Sequence, residues 1–438
     1  MTTMAGLAPD PAGRIGQTIN SGGSALTGPI LAADGMPLDK KLAIVTRRAR
    51  IKAFLLVAPL LLFVLVFFVA PIVMMLRLST GDTVVATELP RTTDALKSWD
   101  QQDLPNEATF AALVADLKDA RERQATGKIG AQINYVYSGA RSLFVAAGRS
   151  AGSMEAPFKK TLIEKDPQWG DPTLWVMIKS TSKPYSSINY LNAMDRTLGP
   201  TGNIEQVPAD QRIHMTIFVR TLWLSFVVTV LCLLLGYPVA YLLAHLPLRI
   251  SNLLMICVLL PFWTALLVRI TAWIALLQND GVVLSAAVAL GLVDPANRPQ
   301  LIYNLIGTLV AMVHVLMPSM ILPLYSVMKT IPPTYVRAAR SLGADPFTAF
   351  WRIYFPQTLP GIAAGGLLVF ILSVGYYITP ALLGGQDGVL ISNFIAFHMQ
   401  SSLNWGLAAA LSMLLLAAIL ILYWIFNRIV GVDNLKMG

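Results

Sequence analysis

Residues 53–76 run for about 24 positions without a charged side chain, and this feature constrains the chain more than any other. An apolar stretch of that length crosses a hydrocarbon core of ~30 Å as a helix. In lipid only a helix or a closed barrel pairs every backbone polar group. Five further apolar runs follow, at 215–244, 252–277, 302–328, 358–383 and 405–427. The stretch 282–293 is too short to span and reads as an interfacial or re-entrant helix. An all-α membrane protein with six transmembrane helices is expected. Only 13% of the residues are charged, against about 25% in soluble domains. Cleavage of the first run as a signal peptide is disfavoured, because it is too long, begins too late and lacks a small-residue cleavage pattern.

The net charge of +9 does not mark a nucleic-acid binder. Much of it sits in Lys40, Lys41, Arg47, Arg48, Arg50 and Lys52, directly before the first apolar run. Positive charge at that flank holds the end in the cytoplasm. With the N-terminus inside, the cytoplasmic segments hold 14 basic and five acidic residues. The two short outer loops carry Arg298 against Asp280, Asp294 and Asp387. Both termini are therefore expected inside, in a multi-pass membrane protein. Cys232 and Cys257 both lie in apolar runs and build no disulfide framework or metal site.

The domain boundaries follow. Residues 1–39, rich in Gly, Ala, Ser and Pro, read as a disordered cytoplasmic tail. Residues 40–78 are the basic flank and first span. Residues 79–212 form a hydrophilic insertion with 15 basic and 16 acidic residues, a near-neutral balance suited to translocation. It contains Trp99, Trp169 and Trp175, and Phe110, Leu113, Val114 and Leu117 repeat at helical spacing. A small folded extracytoplasmic domain is expected there. Residues 213–431 carry the five-helix core, and 432–438 a cytoplasmic tail. Gly236, Pro238, Pro318, Pro323 and Pro380 interrupt the spans, either as packing kinks or as the lining of a translocation path.

The longest cytoplasmic loop, 332–356, is locally legible. Thr334 is the expected N-cap of a helix rich in Ala338 and Ala339, and Gly343 suits a left-handed C′ position. Asp345 caps a second short helix with Pro346 at its first position, and Pro356 is expected to end it. Small residues at 338–339 allow close approach by another protein.

The loop also resembles a known family. Ala338-Ala339, then Gly343, Ile353 and Phe355-Pro356 are similar to the EAA loop of binding-protein-dependent ABC importer permeases. Arg220-Thr221-Leu222-Trp223, Gly236-Tyr237-Pro238, Leu260-Pro261-Phe262-Trp263-Thr264 with Arg269, and the segment from Ile378 to Gly385 resemble the spermidine/putrescine-type permeases. The resemblance implies type I importer architecture and an ATPase-coupling set of Arg337, Ala338, Ala339, Gly343, Ile353 and Pro356. It also implies a second permease subunit, two cytoplasmic ATPase subunits and an extracytoplasmic solute-binding protein, with ATP and magnesium on the ATPases and no cofactor on this chain. Two departures stand out. Arg337 replaces the family glutamate, at a position that the Thr334 cap would make N3, where glutamate completes a capping box. The insertion 79–212 exceeds the short first outer loop of many relatives.

No G-x-x-x-x-G-K-[ST] segment is present, so ATP hydrolysis is expected on another subunit and the chain is not expected to be an enzyme. An ion-coupled secondary transporter is the main rival, but such proteins place acids or histidines inside the membrane. The spans contain no Asp or Glu, and His314 is the one histidine well inside. His214, His245, His314 and His398 show no metalloenzyme spacing. The candidate translocation path comprises Arg269, Trp263, Pro261 and Tyr376. Arg269 lies roughly 12 Å from the outer end of its span, where its charge seeks a carbonyl, an acid or an anionic solute group. Polyamine is the expected cargo, with an opine or amino-acid derivative as the alternative.

Overall fold

The computed structural model describes residues 38–81, 84–183 and 185–430. The tails expected at 1–39 and 432–438 lie outside them, apart from Leu38 and Asp39, which begin a helix. Two units are distinguished, 1–71 and 72–438. The first holds the helix Leu38–Val64, continued by a π-wound turn Leu65–Val69. Its large apolar side chains, such as Leu56 and Phe67, are exposed, as lipid-facing residues must be.

Among the described residues, six helical segments are long and apolar enough to cross a membrane: Leu42–Thr80, His214–His245, Leu266–Ala289, Leu305–Thr330, Pro346–Val374 and Trp405–Arg428. Two differences from the sequence reading stand out. The span expected at 252–277 is broken into Leu248–Trp263 and Leu266–Leu277. The 16-residue first piece is about 24 Å long, too short to cross alone. Pro261 withdraws a donor near the break, and the Thr264 hydroxyl donates to the Pro261 carbonyl at 3.0 Å. The expected re-entrant segment is the helix Val282–Ala289, which follows Leu266–Leu277 within one candidate span. Likewise the span expected at 358–383 ends at Val374, and Ile378–Leu383 is a separate short helix.

The fourth span is the centre of the core, with 61% of its apolar window buried. Its Met312, Leu316, Met320 and Leu324 pack against Leu224, Val228 and Cys232 of the second span and Val369 of the fifth. Small residues set the spacing. A Cβ on Gly361 would lie 3.1 Å from Val327 Cβ, and one on Gly365 2.9 Å from Met320 Sδ. Glycines four apart thus bring the fourth and fifth spans into close backbone approach, the usual device where no hydrophobic effect drives helices together.

Residues 84–206 form a helical body with its own core. The helix Glu107–Glu122 buries Phe110, Leu113, Val114 and Leu117, the four residues at helical spacing. Phe110 meets Trp175 at 4.5 Å between ring centroids, and Trp169 meets Phe144 at 5.2 Å. Buried Asp116 accepts from the Thr92 amide at 2.8 Å and its hydroxyl at 2.7 Å, so its charge is not left unpaired. A short antiparallel hairpin, Arg196–Leu198 with Ile204–Gln206, departs from the all-helical pattern.

This body is fastened to the spans. Asn189 Nδ2 donates to the Ser79 carbonyl at 3.2 Å, and Ser79 Oγ meets Tyr190 OH at 2.8 Å. Tyr135 OH donates to the Leu403 carbonyl at 2.9 Å. Asp195, 6% exposed, caps the second span from outside it. Its carboxylate accepts from the His214 amide at 3.1 Å, the Met215 amide at 2.8 Å and His214 Nδ1 at 2.9 Å. A carboxylate at a helix N-terminus satisfies orphan donors and complements the dipole.

Candidate functional site

The loop 332–356 begins with a helix, Pro333–Ser341, whose N-cap is Pro332 rather than Thr334. Pro333 takes N1, where its missing N–H costs nothing. Thr334 therefore lies inside the helix, and Arg337 is two positions past N3. The capping-box comparison for Arg337 falls away. The helix ends as the sequence requires. Gly343 has φ +92°; its amide donates to the Arg340 carbonyl and the Ala344 amide to the Ala339 carbonyl, both at 3.0 Å. This is a Schellman turn, which reverses the chain while pairing two orphan carbonyls.

Asp345 then caps the next turn, accepting from the Phe347 amide at 2.9 Å and the Thr348 amide at 3.0 Å. Hydrogen bonds from the Thr348 hydroxyl and these amides hold its carboxyl below the usual carboxylate range. The expected stop at Pro356 does not occur. Pro346–Ala349 passes through a π-wound turn, Phe350–Tyr354, into Phe355–Val374. The Phe355 amide reaches back to the Phe350 carbonyl. This wider turn relieves the clash that proline makes with the turn before it. Gln357 Nε2 donates to the Ile353 carbonyl at 2.6 Å.

Arg337, Ala338 and Gly343 are exposed and Ala339 half-buried. Around them Tyr335, Leu342, Phe347 and Trp351 are also exposed, Leu342 at 89%. Val336 faces inward, against the core of the second and fourth spans. The loop thus presents small, basic and large apolar residues on one side and is anchored on the other. Ile353 and Pro356 sit at its base.

The four path residues are not gathered into one site. Pro261 and His314 line an apolar groove of about 410 Å³, together with Leu254, Cys257, Met317 and Pro318. Trp273 Nε1 donates to His314 Nδ1 at 3.1 Å. Arg269 lies close enough for its charge to act on His314 and Tyr376, and its buried Nε has no partner among the described residues. Trp263 is 72% exposed and joins none of these contacts.

Tyr376 belongs to a helix break that sequence reasoning missed. The carbonyls of Tyr376 and Tyr377 accept from Ser392 Oγ at 2.6 Å and Asn393 Nδ2 at 2.8 Å. The Asn393 amide oxygen also accepts from the Leu390 amide at 3.1 Å. Both side chains open the helix Ile391–Gln400, so the pair Ser-Asn before an apolar run was the available signal. Beyond the break, Gly385 has φ +55°, and a Cβ there would lie 2.2 Å from the Tyr303 carbonyl oxygen. A pair of consecutive glycines lets the two backbones touch.

Residues 209–431 match the family described as the binding-protein-dependent transport system inner membrane component. The chain belongs to that family, whose members are permease subunits of ABC importers and not enzymes. It is therefore a multi-pass inner-membrane permease subunit of a system that works with a binding protein. It is 33% identical over 222 residues to the spermidine/putrescine transport system permease protein PotB of Escherichia coli K12, covering 50% of this chain and 80% of that one. To the protein of that name from Haemophilus influenzae it is 34% identical over 215 residues, covering 48% and 74%. A solved bacterial alginate ABC transporter, in complex with a periplasmic protein bound to an alginate pentasaccharide, aligns with 52% of this chain and 81% of that one. That likeness has 16% identity and a TM-score of 0.43. The family match begins at residue 209, so the helical body at 84–206 falls outside it.

Proposed function

We propose that the loop 332–356 docks a cytoplasmic ATPase and that the spans carry an amine-bearing solute, of the polyamine class, inward. The observation that carries this is the exposed helix Pro333–Ser341, closed by the Schellman turn at Gly343, within a family-matched permease core. Ala338 and Ala339 permit close contact, and Gly343 permits the reversal. Two ATPase subunits, holding ATP and magnesium, and a second permease complete the assembly. Both termini are cytoplasmic, in line with the basic flank at 40–52, and the body at 84–206 stands outside, where it meets the binding protein or shields the mouth. The polyamine class is supported by the PotB relatives, which are named as permeases of spermidine/putrescine transport systems.

One observation favours a carboxylated amine instead. Apart from Asp280, which lies between Leu266–Leu277 and Val282–Ala289 and pairs with Arg298 at 3.0 Å, the membrane helices contain no Asp or Glu, while Arg269 brings a partly buried cation whose Nε has no partner among the described residues. Thermal shifts of the associated binding protein with spermidine, putrescine, opines and amino acids separate the two classes. The docking claim is tested by Ala339→Asp, which places a charge in the interface away from the spans. Retention of wild-type ATPase association by that variant contradicts it.

A further inference from the structure

We infer that an aromatic stack between the π-wound turn and the second span carries movement of the coupling loop into the membrane core, with Tyr354 as its positioning residue. This inference rests on the docking role proposed above for the loop. The turn Phe350–Tyr354 lies directly between the exposed loop and the fifth span. Its Phe350 and Tyr354 rings stack on each other at 5.8 Å. Both then pack on the cytoplasmic end of the second span. Tyr354 meets Tyr241 edge-on at 5.4 Å and His245 at 5.4 Å. Phe350 meets Tyr241 at 6.0 Å and Tyr237 at 6.3 Å, again edge-on. Tyr237 OH closes the circuit on Thr358 of the fifth span at 3.3 Å.

Three features make this a lever rather than filler. Rigid rings in edge-to-face contact resist shear and transmit displacement, because packed interiors do not deform continuously. A π-turn differs from an α-turn by one residue of register, so it has a discrete alternative into which it can shift. Tyr354 is 3% exposed, yet its hydroxyl has no partner among the described residues. A buried hydroxyl left unpaired disfavours this arrangement against one in which it finds an acceptor. The stack therefore joins a docking surface, a two-state turn and two membrane helices.

The test uses the full transporter in nanodiscs with its ATPase and binding protein. The readouts are ATPase association and the ratio of hydrolysis with loaded binding protein to hydrolysis without it. Tyr354→Leu and Tyr241→Leu, on opposite sides of the contact, are each expected to lower that ratio at least about fivefold with association retained. The double variant is expected to fall no further than either single one, because both break the same link. Tyr354→Phe keeps the ring contacts but removes the unpaired hydroxyl, and is expected to lower the ratio less than Tyr354→Leu does. Additive losses accompanied by loss of association mark a merely structural role and overturn the inference. Wild-type stimulation in both leucine variants, beside lost stimulation in Ala339→Asp, overturns it while leaving the docking role standing. Wild-type stimulation in Ala339→Asp as well removes the docking role and this inference with it.

Discussion

Gly343 and Gly385 both occupy left-handed backbone, at φ +92° and +55°, but their surroundings differ. No atom of the described residues lies within 4 Å of a Cβ built on Gly343, so Gly343→Ala carries only the conformational penalty, about 1–2 kcal/mol. At Gly385 the same Cβ would lie 2.2 Å from the Tyr303 carbonyl oxygen and 2.8 Å from its carbonyl carbon. These are backbone atoms, fixed further by the Asn304 amide donating to the Leu383 carbonyl at 3.1 Å. One chain must retreat by roughly 1 Å, which adds an overpacking cost of about 1–3 kcal/mol. Gly385→Ala is thus expected to destabilise by about 2–5 kcal/mol, two to three times the cost at Gly343. Unfolding of the nanodisc-embedded protein, followed by intrinsic tryptophan fluorescence against denaturant, gives both values. Equal losses at the two positions refute the reasoning, because the added contact is the only difference invoked.

Three further outcomes are expected. Burial, and then the charge of nearby His214, push the His398 imidazole from its ordinary 6.5 down to about 4. The fold therefore favours the neutral ring. Stability from this site is present above pH 6.5 and is lost as pH falls towards 4, by up to about 3 kcal/mol; His398→Gln is expected to flatten that part of a pH–stability profile. Ser392→Ala and Asn393→Ala each free a carbonyl at the helix break and are expected to cost about 1 kcal/mol or more, with Asn393→Ala the larger because it also caps the Leu390 amide; equal thermal shifts contradict that ranking. A cysteine placed at Ser98, in a background lacking Cys232 and Cys257, is expected to react with an impermeant maleimide in intact cells, whereas labelling only after lysis contradicts the proposed topology.

The parts of this molecule legible in the sequence are those written in local rules. Apolar run length located six candidate spans, and the period of Phe110, Leu113, Val114 and Leu117 located a buried helix face. Gly343 and Asp345 announced a left-handed turn and a cap. The illegible parts depend on partners distant in the chain. Thr334 looks like a cap, but Pro332 and Pro333 start the helix two residues earlier, since proline at N1 loses no hydrogen bond. Pro356 looked like a stop, but the π-wound turn absorbs its ring. The break after Val374 survives because Ser392 and Asn393 pair the freed carbonyls, and Asp195 caps a helix that begins 19 residues later. Neither arrangement leaves a periodic signal. Trp263 and Pro261 end one helix, Leu248–Trp263, while Arg269 lies in the next, Leu266–Leu277, across a break that the continuous apolar run does not reveal.

Uptake into proteoliposomes decides whether this permease moves solute only when driven by an ATPase docked on its loop. ATP-dependent uptake of labelled spermidine or putrescine, or of a carboxylated amine, is expected when ATPase, second permease and loaded binding protein are all present. No uptake is expected from this chain alone under a proton or sodium gradient. Gradient-driven uptake by the isolated chain would instead establish an ion-coupled carrier and rule out the ATPase-driven permease.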